Sequence, residues 1–447
     1  MYYRKLYKYL LSWKDANSRK PLIIRGARQV GKTTLVNEFG KTYRFFISLN
    51  LDKTQDRVIF EKKDSAQEII ETVFLREHTP FTKEPVLLFI DEIQESPSAI
   101  KMLRYLHEEY PGIHIIAAGS LLEFALKAVV SFPVGRVDQI VLHPFDFEEF
   151  LLATGREDLL RELESIPVKD FAHDILLEQF HDYAVIGGMP EVIKNYIEEK
   201  TVINLGKIYS NLWQSYRDDV EKYASNSTER KIIRHIIDTA PFETGRITLA
   251  GFGNSSYRSR EAGEAMRALD MARIIQLVYP VTGTQPPVVP DLKRKPRLQV
   301  LDTGLLNFAA GIQHEMIGIR DMNSLSRGDI IQHLVIQQLQ SQYHSPVYKP
   351  AFWVREKANS NAEVDLVFQH SRYIIPIEVK SGAKGRLRSL HQFVEIAGHK
   401  YAVRLLANKP LIERSKTPGG TPYLLLNMPY YASTKLPEYI RWFIENN

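Results

Sequence analysis

The chain of 447 residues contains no cysteine. Disulfides and thiolate-held metals are thereby excluded, and the composition suits a reducing compartment. No apolar run reaches the ~18 residues that a membrane span requires. Charged residues interrupt every apolar run of the N-terminus, Met1 to Leu10, so it does not read as a signal peptide. A strong charge of one sign is also missing, because 58 Lys and Arg stand against 53 Asp and Glu, a formal net charge of +5. That mildly basic balance is compatible with nucleic acid but does not argue for it alone. Internal repeats and low-complexity segments are absent as well. The expectation is a cytoplasmic protein with no membrane partner. The hydrophobic share of 44% and charged share of 25% are those of a globular protein. The length accommodates about two to four domains.

The most informative stretch runs from Pro21 to Thr34. Leu22 to Arg25 predict a short buried strand, and Thr34 to Phe39 predict the start of a helix. Between them lie Gly26, Ala27, Arg28, Gln29, Val30, Gly31, Lys32 and Thr33, which fit G-x-x-x-x-G-K-[ST]. Strand, loop and helix in that order are the context a phosphate-binding loop needs. The glycines let the main chain curl so that N–H groups meet phosphate oxygens, and the helix start adds positive potential. Lys32 is expected to reach the β- and γ-phosphates, and the Thr33 hydroxyl to hold Mg²⁺. Gly26 to Thr34 thus form the expected ATP-binding segment. An incidental glycine turn is the competing reading.

Glu84 to Ile90 form a continuous apolar run, the pattern of a parallel strand covered on both faces, with Asp91 and Glu92 at its end. Ligands of open α/β sheets sit beyond the carboxyl ends of strands. Asp91 is therefore expected in the Mg²⁺ shell, and Glu92 is expected to polarise the attacking water. A carboxylate pair can also simply cap the next helix. His114 to Ala118 predict another buried strand, which places Ser120 between the two signatures, either as a γ-phosphate sensor or as a cap for a helix over 121–127. Gly135-Arg136 precede a last strand over Gln139 to Leu142. Arg136 either reaches a neighbouring subunit's γ-phosphate, a contribution of ~10³–10⁵ in rate, or is a surface ion-pair partner. Residues 1–20 predict a lead-in helix with Leu6, Leu10 and Trp13 on one face.

These motifs, with Leu142-His-Pro-Phe-Asp-Phe-Glu-Glu-Phe150, resemble a prokaryotic family of AAA-type ATPases joined to a C-terminal restriction-endonuclease-like domain. The resemblance implies an α/β fold. A P-loop NTPase parallel sheet over 1–150 would be followed by a helical lid over 151–225. A winged-helix unit over 226–315 and a nuclease-like α/β domain over 316–447 would complete it. Gly187 to Glu191 and Asp302 to Leu306 are family segments by the same resemblance, the first reading as a turn with a helix restarting at Pro190. No chemical role is assigned to the second. In the winged-helix portion, Lys293 to Arg297 form a basic tip between two predicted strands. Such a tip contacts DNA phosphates in some modules and proteins in others.

In the last portion, Glu363 to Phe368 and Tyr373 to Lys380 predict adjacent strands. Glu378 and Lys380, two apart, share a face, and Asp365 on the neighbouring strand can join them. Two carboxylates and a lysine suit a Mg²⁺-assisted phosphodiester site, here resembling the PD-(D/E)XK core. The acid that pattern expects on the preceding helix is replaced by Gln332, which brings no charge. Lys384, Arg386 and Arg388 follow as a basic loop. The function expected is a Mg²⁺-dependent ATPase coupled to DNA binding or processing, with homo-oligomer formation open. The alternative is a nucleotide switch whose nuclease-like domain binds a partner without cleavage. A small-molecule kinase shares only the phosphate loop.

Overall fold

Five apolar stretches build the first sheet of the structure, a computed structural model. It describes residues 2–63, 65–81, 84–120, 122, 135–202, 204–221, 224, 226–316, 329–357, 360–380 and 387–447. The strands are β1 (Leu22–Arg25), β2 (Phe45–Asn50), β3 (Val86–Asp91), β4 (Ile113–Gly119) and β5 (Asp138–Val141). Every residue of β1, β3 and β4 is buried. All pairings are parallel, in the order β2-β3-β4-β1-β5. Parallel strands buried on both faces require helical crossovers, which explains their continuous apolar character.

Helix α1 (Leu6–Asp15) buries Leu6, Leu10 and Trp13, the face its spacing predicts. Trp13 packs against Phe39 of α2 (Lys32–Gly40), with ring centroids 6.4 Å apart. Residues 54–76 form two helices, α3 (Thr54–Lys62) and α4 (Ala66–Arg76). Ser65 makes the break, because its side chain accepts a hydrogen bond from the Glu68 N–H at 3.1 Å and caps α4. Helix α5 (Pro97–Glu109) starts with Pro at its first turn and is capped by Ser96. The helix expected over 121–127 lies outside the described residues, except Leu122.

The chain divides into two compact units. The first holds Met1–His143 with Met271–Arg273 and Tyr343–Val347, and the second holds Pro144–Asp270, Ile274–Gln342 and Tyr348–Asn447. The second unit begins with helices, among them His173–Ile186, Pro190–Glu199 and Leu205–Glu221. Helices Ser227–Thr239 and Ser259–Met271 then precede β6 (Ile275–Val278) and β8 (Arg297–Val300), which pair antiparallel. A seven-stranded sheet follows, ordered β13-β14-β12-β11-β10-β9-β7. Its strands are β7 (Pro280–Val281), β9 (Ala351–Lys357), β10 (Ser360–His370), β11 (Tyr373–Val379), β12 (Tyr401–Leu406), β13 (Leu411–Lys416) and β14 (Pro422–Pro429). Strand β10 is antiparallel to both β9 and β11, while β11, β12 and β14 are mutually parallel.

One buried carboxylate joins two segments that had no assigned chemistry. Asp302 is fully buried, accepts from the Gly188 N–H at 2.6 Å and from Gln337 Nε2 at 3.2 Å, and caps the helix Thr303–Ala309 through the Leu305 N–H at 3.1 Å. The approach leaves no room for side chains. A Cβ on Gly187, at φ +72°, would lie 2.3 Å from Asp302 Oδ1, and one on Gly304 would lie 2.2 Å from the Ile186 carbonyl oxygen. Gly188 presses the Phe145 carbonyl as closely. Glycine is required at these positions because main chain meets main chain at Gly188 and Gly304, and meets the Asp302 carboxylate at Gly187.

Candidate functional site

The phosphate loop follows β1 directly and ends where α2 begins. Gly26, Gln29 and Gly31 all have positive φ, at 152°, 64° and 95°. This alternation of hand curls the loop into a concave arc of the kind that receives anions. A Cβ on Gly26 would sit 2.4 Å from the Leu142 carbonyl oxygen, so the first glycine of the motif is a steric necessity as well. Lys32 is buried, and its Nζ donates to the carbonyl oxygens of Gly26 at 3.0 Å and Ala27 at 2.9 Å. The ammonium thus lies inside the arc.

Thr33 Oγ1 donates to Asp91 Oδ2 at 2.7 Å. The sheet order explains the meeting: both residues stand at carboxyl ends of parallel strands, and only β4 separates β1 from β3. A hydroxyl and a carboxylate at this spacing suit a hard oxygen-liganded cation such as Mg²⁺. Burial raises the carboxyl pKa of Asp91, while the Thr33 hydroxyl and the Glu92 N–H hold it back. Glu92 occupies a left-handed conformation, φ 52°, which turns its side chain off the end of the strand. Burial raises its pKa too, opposed by a hydrogen bond from Gln94 Nε2 to Glu92 Oε2 at 2.6 Å. Gln94 is wedged against Gly119, where a Cβ would come within 2.4 Å of Gln94 Oε1. The end of β4 therefore shapes the acid pair, and Ser120 follows it, half-buried.

Two residues outside the sequence motifs belong to this site. Arg4, 4% exposed, donates to the Val30 carbonyl oxygen at 2.8 Å and to the His143 carbonyl oxygen at 2.6 Å. It ties the loop to the end of β5. Gln94 holds Glu92. A lone arginine before a helix and a glutamine after an acid pair carry no local signature, and only the fold reveals their partners.

Arg136 is not brought to this phosphate loop. It precedes the amino end of β5 and lies 3.3 Å from Glu108 Oε1, with its side chain 57% exposed. The loop stands at the other, carboxyl end of the sheet, about 13 Å away along a strand of this length. Its contact with Glu108 is the surface ion pair that the sequence leaves as the alternative reading.

In the second unit the structure brings together the carboxylates read on adjacent strands. Asp365 Oδ2 accepts from the Val379 N–H at 2.9 Å, and Oδ1 from Gln332 Nε2 at 3.1 Å. Lys380 Nζ donates to Glu378 Oε1 at 2.5 Å. Burial, then the charge of Asp365, pushes the Glu378 carboxyl up to about 7. Arg294 and Arg297, in the basic tip read as contacting either DNA or protein, are turned toward carboxylates of the chain. Arg294 pairs with Asp291 and Glu356, and Arg297 pairs with Glu363 and lies 3.7 Å from Asp365 Oδ1. Carboxylates distant in sequence attract these cations, which the run of basic residues alone cannot show. Lys293 and Lys295 remain exposed, and Lys384 and Arg386 lie outside the described residues. No group of three or more His, Asp or Glu side chains arranged for a metal occurs among the described residues. No helix among them is long and apolar enough to cross a membrane.

Residues 18–151 match the AAA domain family. Residues 177–316 and 327–417 match two domains of unknown function, DUF8612 and DUF4143. No curated protein matches the chain. Similar solved structures include a Walker-type ATPase of Pyrococcus abyssi, 14% identical, covering 69% of this chain and 96% of that one, with a TM-score of 0.44. The Orc1 protein of Aeropyrum pernix in complex with DNA is 14% identical over 69% of this chain and 91% of that one, at a TM-score of 0.27. AMPPCP-bound DnaA from Aquifex aeolicus is 15% identical over 60% of this chain and 86% of its own, at 0.25. The family match over 18–151, the parallel sheet and the loop geometry agree, and this part of the chain is an AAA-type P-loop domain.

Proposed function

We propose that the protein binds ATP with Mg²⁺ and hydrolyses it. The observation that carries this reading is the contact of Thr33 Oγ1 with Asp91 Oδ2 at 2.7 Å, with Lys32 inside the curled loop and Glu92 adjacent. The loop and Lys32 bind and orient the phosphates. Thr33 and Asp91 hold the cation, which supplies charge neutralisation at the phosphate oxygens. Glu92, kept in place by Gln94, takes the proton of the attacking water, and Ser120, which follows β4, senses the terminal phosphate. Hydrolysis should require Mg²⁺, fall to background with chelator, and fall again in Thr33→Ala. Wild-type rates in Thr33→Ala would contradict the assignment.

The position of Arg136 supports a shared site between copies of the chain. Arg136→Ala and Lys32→Ala proteins should each be inactive alone. Mixed subunits should regain a substantial fraction of the wild-type rate, because some interfaces then combine an intact loop with an intact arginine. Additive, near-zero activity on mixing, read alongside native mass, would remove the trans role.

For the rest of the chain, the second unit acts as the effector of nucleotide state, with the helices over 151–225 as lid and the helix-helix-ribbon over 226–315 as a winged-helix-like module. Gln332 in place of an acid favours a nuclease-like domain that binds a partner, DNA being the first to test, without cutting it. DNA retention that survives Glu378→Ala supports this. Mg²⁺-dependent cleavage lost in Glu378→Ala supports the processing reading instead.

A further inference from the structure

Around Asp365 the chain supplies its own counter-charges. Arg297 comes from β8, with its side chain 10% exposed. Its Nη1 donates to the Asp365 carbonyl oxygen at 3.0 Å, its Nη2 pairs with Glu363, and its guanidinium carbon lies 4.3 Å from the Phe352 ring centroid. Arg246 pairs with Glu356 and Glu363, Arg294 with Glu356, and Lys380 with Glu378. Among the described residues, Arg246, Arg297 and Lys380 thus face Glu363, Asp365 and Glu378, while Arg294 is shared between Glu356 and Asp291. A divalent cation needs an excess of anionic oxygen, and none is left here. Yet the site is imperfectly satisfied. Glu378 is 6% exposed and its Oε2 has no hydrogen-bond partner among the described residues, nor has Arg297 Nε. That unpartnered carboxylate oxygen and the Asp365 carboxylate, to which Gln332 presents its Nε2, form an oxygen pair lacking only an unclaimed charge.

We propose that Arg297 is a built-in cation of this carboxylate site, which admits a hard divalent ion only when the guanidinium is removed. Arg297 takes the neutralising role that a metal would take between Asp365 and its neighbours. Its planar, permanently charged head over Phe352 is suited to staying there. The carboxylates are then held in a folded, charge-balanced state that carries no metal-activated water. On this proposal the resting domain does not cleave, and any partner that displaced Arg297 would create a metal site. The inference does not depend on ATP hydrolysis in the first unit.

The test is Mn²⁺ binding to the full-length, nucleotide-free protein, followed by electron paramagnetic resonance. Any binding at Thr33 and Asp91 is common to all proteins compared. Arg297→Gln should bind one more Mn²⁺ per chain than wild type, and adding Glu378→Gln should return the count to the wild-type value. A folded Arg297→Gln protein with no extra ion, or with an extra ion that survives Glu378→Gln, would overturn the proposal. If Arg297→Gln does not fold, wild type against Glu378→Gln decides. Equal counts are expected, and loss of one ion in Glu378→Gln would show that the native site already holds metal.

Discussion

Glu92→Gln should bind ATP as tightly as wild type and hydrolyse it about 10²–10⁴-fold more slowly, the usual contribution of a general base. The change keeps size and polarity, and it keeps a carbonyl oxygen to accept from Gln94 Nε2, now 2.6 Å from Glu92 Oε2. What it removes is the ability to accept a proton from water. In barrier terms the loss is about 3–5 kcal/mol. The separation of binding from turnover is the diagnostic part, since a mutation that merely loosened the loop would weaken both. Calorimetric ATP titration and steady-state phosphate release measure the two. Hydrolysis within tenfold of wild type would assign the base elsewhere.

The second large effect concerns folding of the second unit. Asp302→Ala removes a fully buried carboxylate, strands the Gly188 N–H and the Leu305 N–H, and takes one of two acceptors from the Gln337 amide. Truncating one member of a buried charged network typically costs ~3–5 kcal/mol. Burial pushes the Asp302 carboxyl up to about 6. A folded value above the unfolded one of about 3.9 means that the native state binds the proton more tightly. Its contribution to stability is therefore fully present below about pH 4 and is lost as pH rises through about 6, by roughly 3 kcal/mol. Above that pH the ionised group remains held by the Gly188, Gly304 and Leu305 N–H groups and the Gln337 amide. Asp302→Asn should flatten this part of the stability–pH curve. Denaturant midpoints at pH 4.5 and 7 read the difference, and an unchanged slope would show that Asp302 does not titrate in that range.

The phosphate site was legible because its chemistry is local. Glycines at fixed spacing, a lysine, and an acid pair closing an apolar run each carry their reason within a few residues. The buried strands β1, β3 and β4 followed from the same apolar runs, and Leu6, Leu10 and Trp13 fell on the buried face their spacing predicts. What could not be read was pairing at a distance. Asp302 meets Gly188 across 114 positions, and Arg297 meets Asp365 across 68. Arg297 in particular sits in a basic run whose composition looks the same whether it faces DNA or a buried carboxylate. Arg4 escaped notice because an arginine that holds a carbonyl oxygen of the phosphate loop needs no motif around it. Gln332, by contrast, was legible as a departure, and the structure places its amide on Asp365.

The account rests on a lysine-centred grip on a nucleoside triphosphate, and direct binding tests it most simply. Calorimetric titration of the nucleotide-free protein with ATP and Mg²⁺ should show saturable binding to the wild type. Under the same conditions Lys32→Ala should lose tight binding, while its far-ultraviolet circular dichroism stays unchanged. A folded wild type without affinity for ATP, or a Lys32→Ala protein that binds as well as wild type, would contradict it.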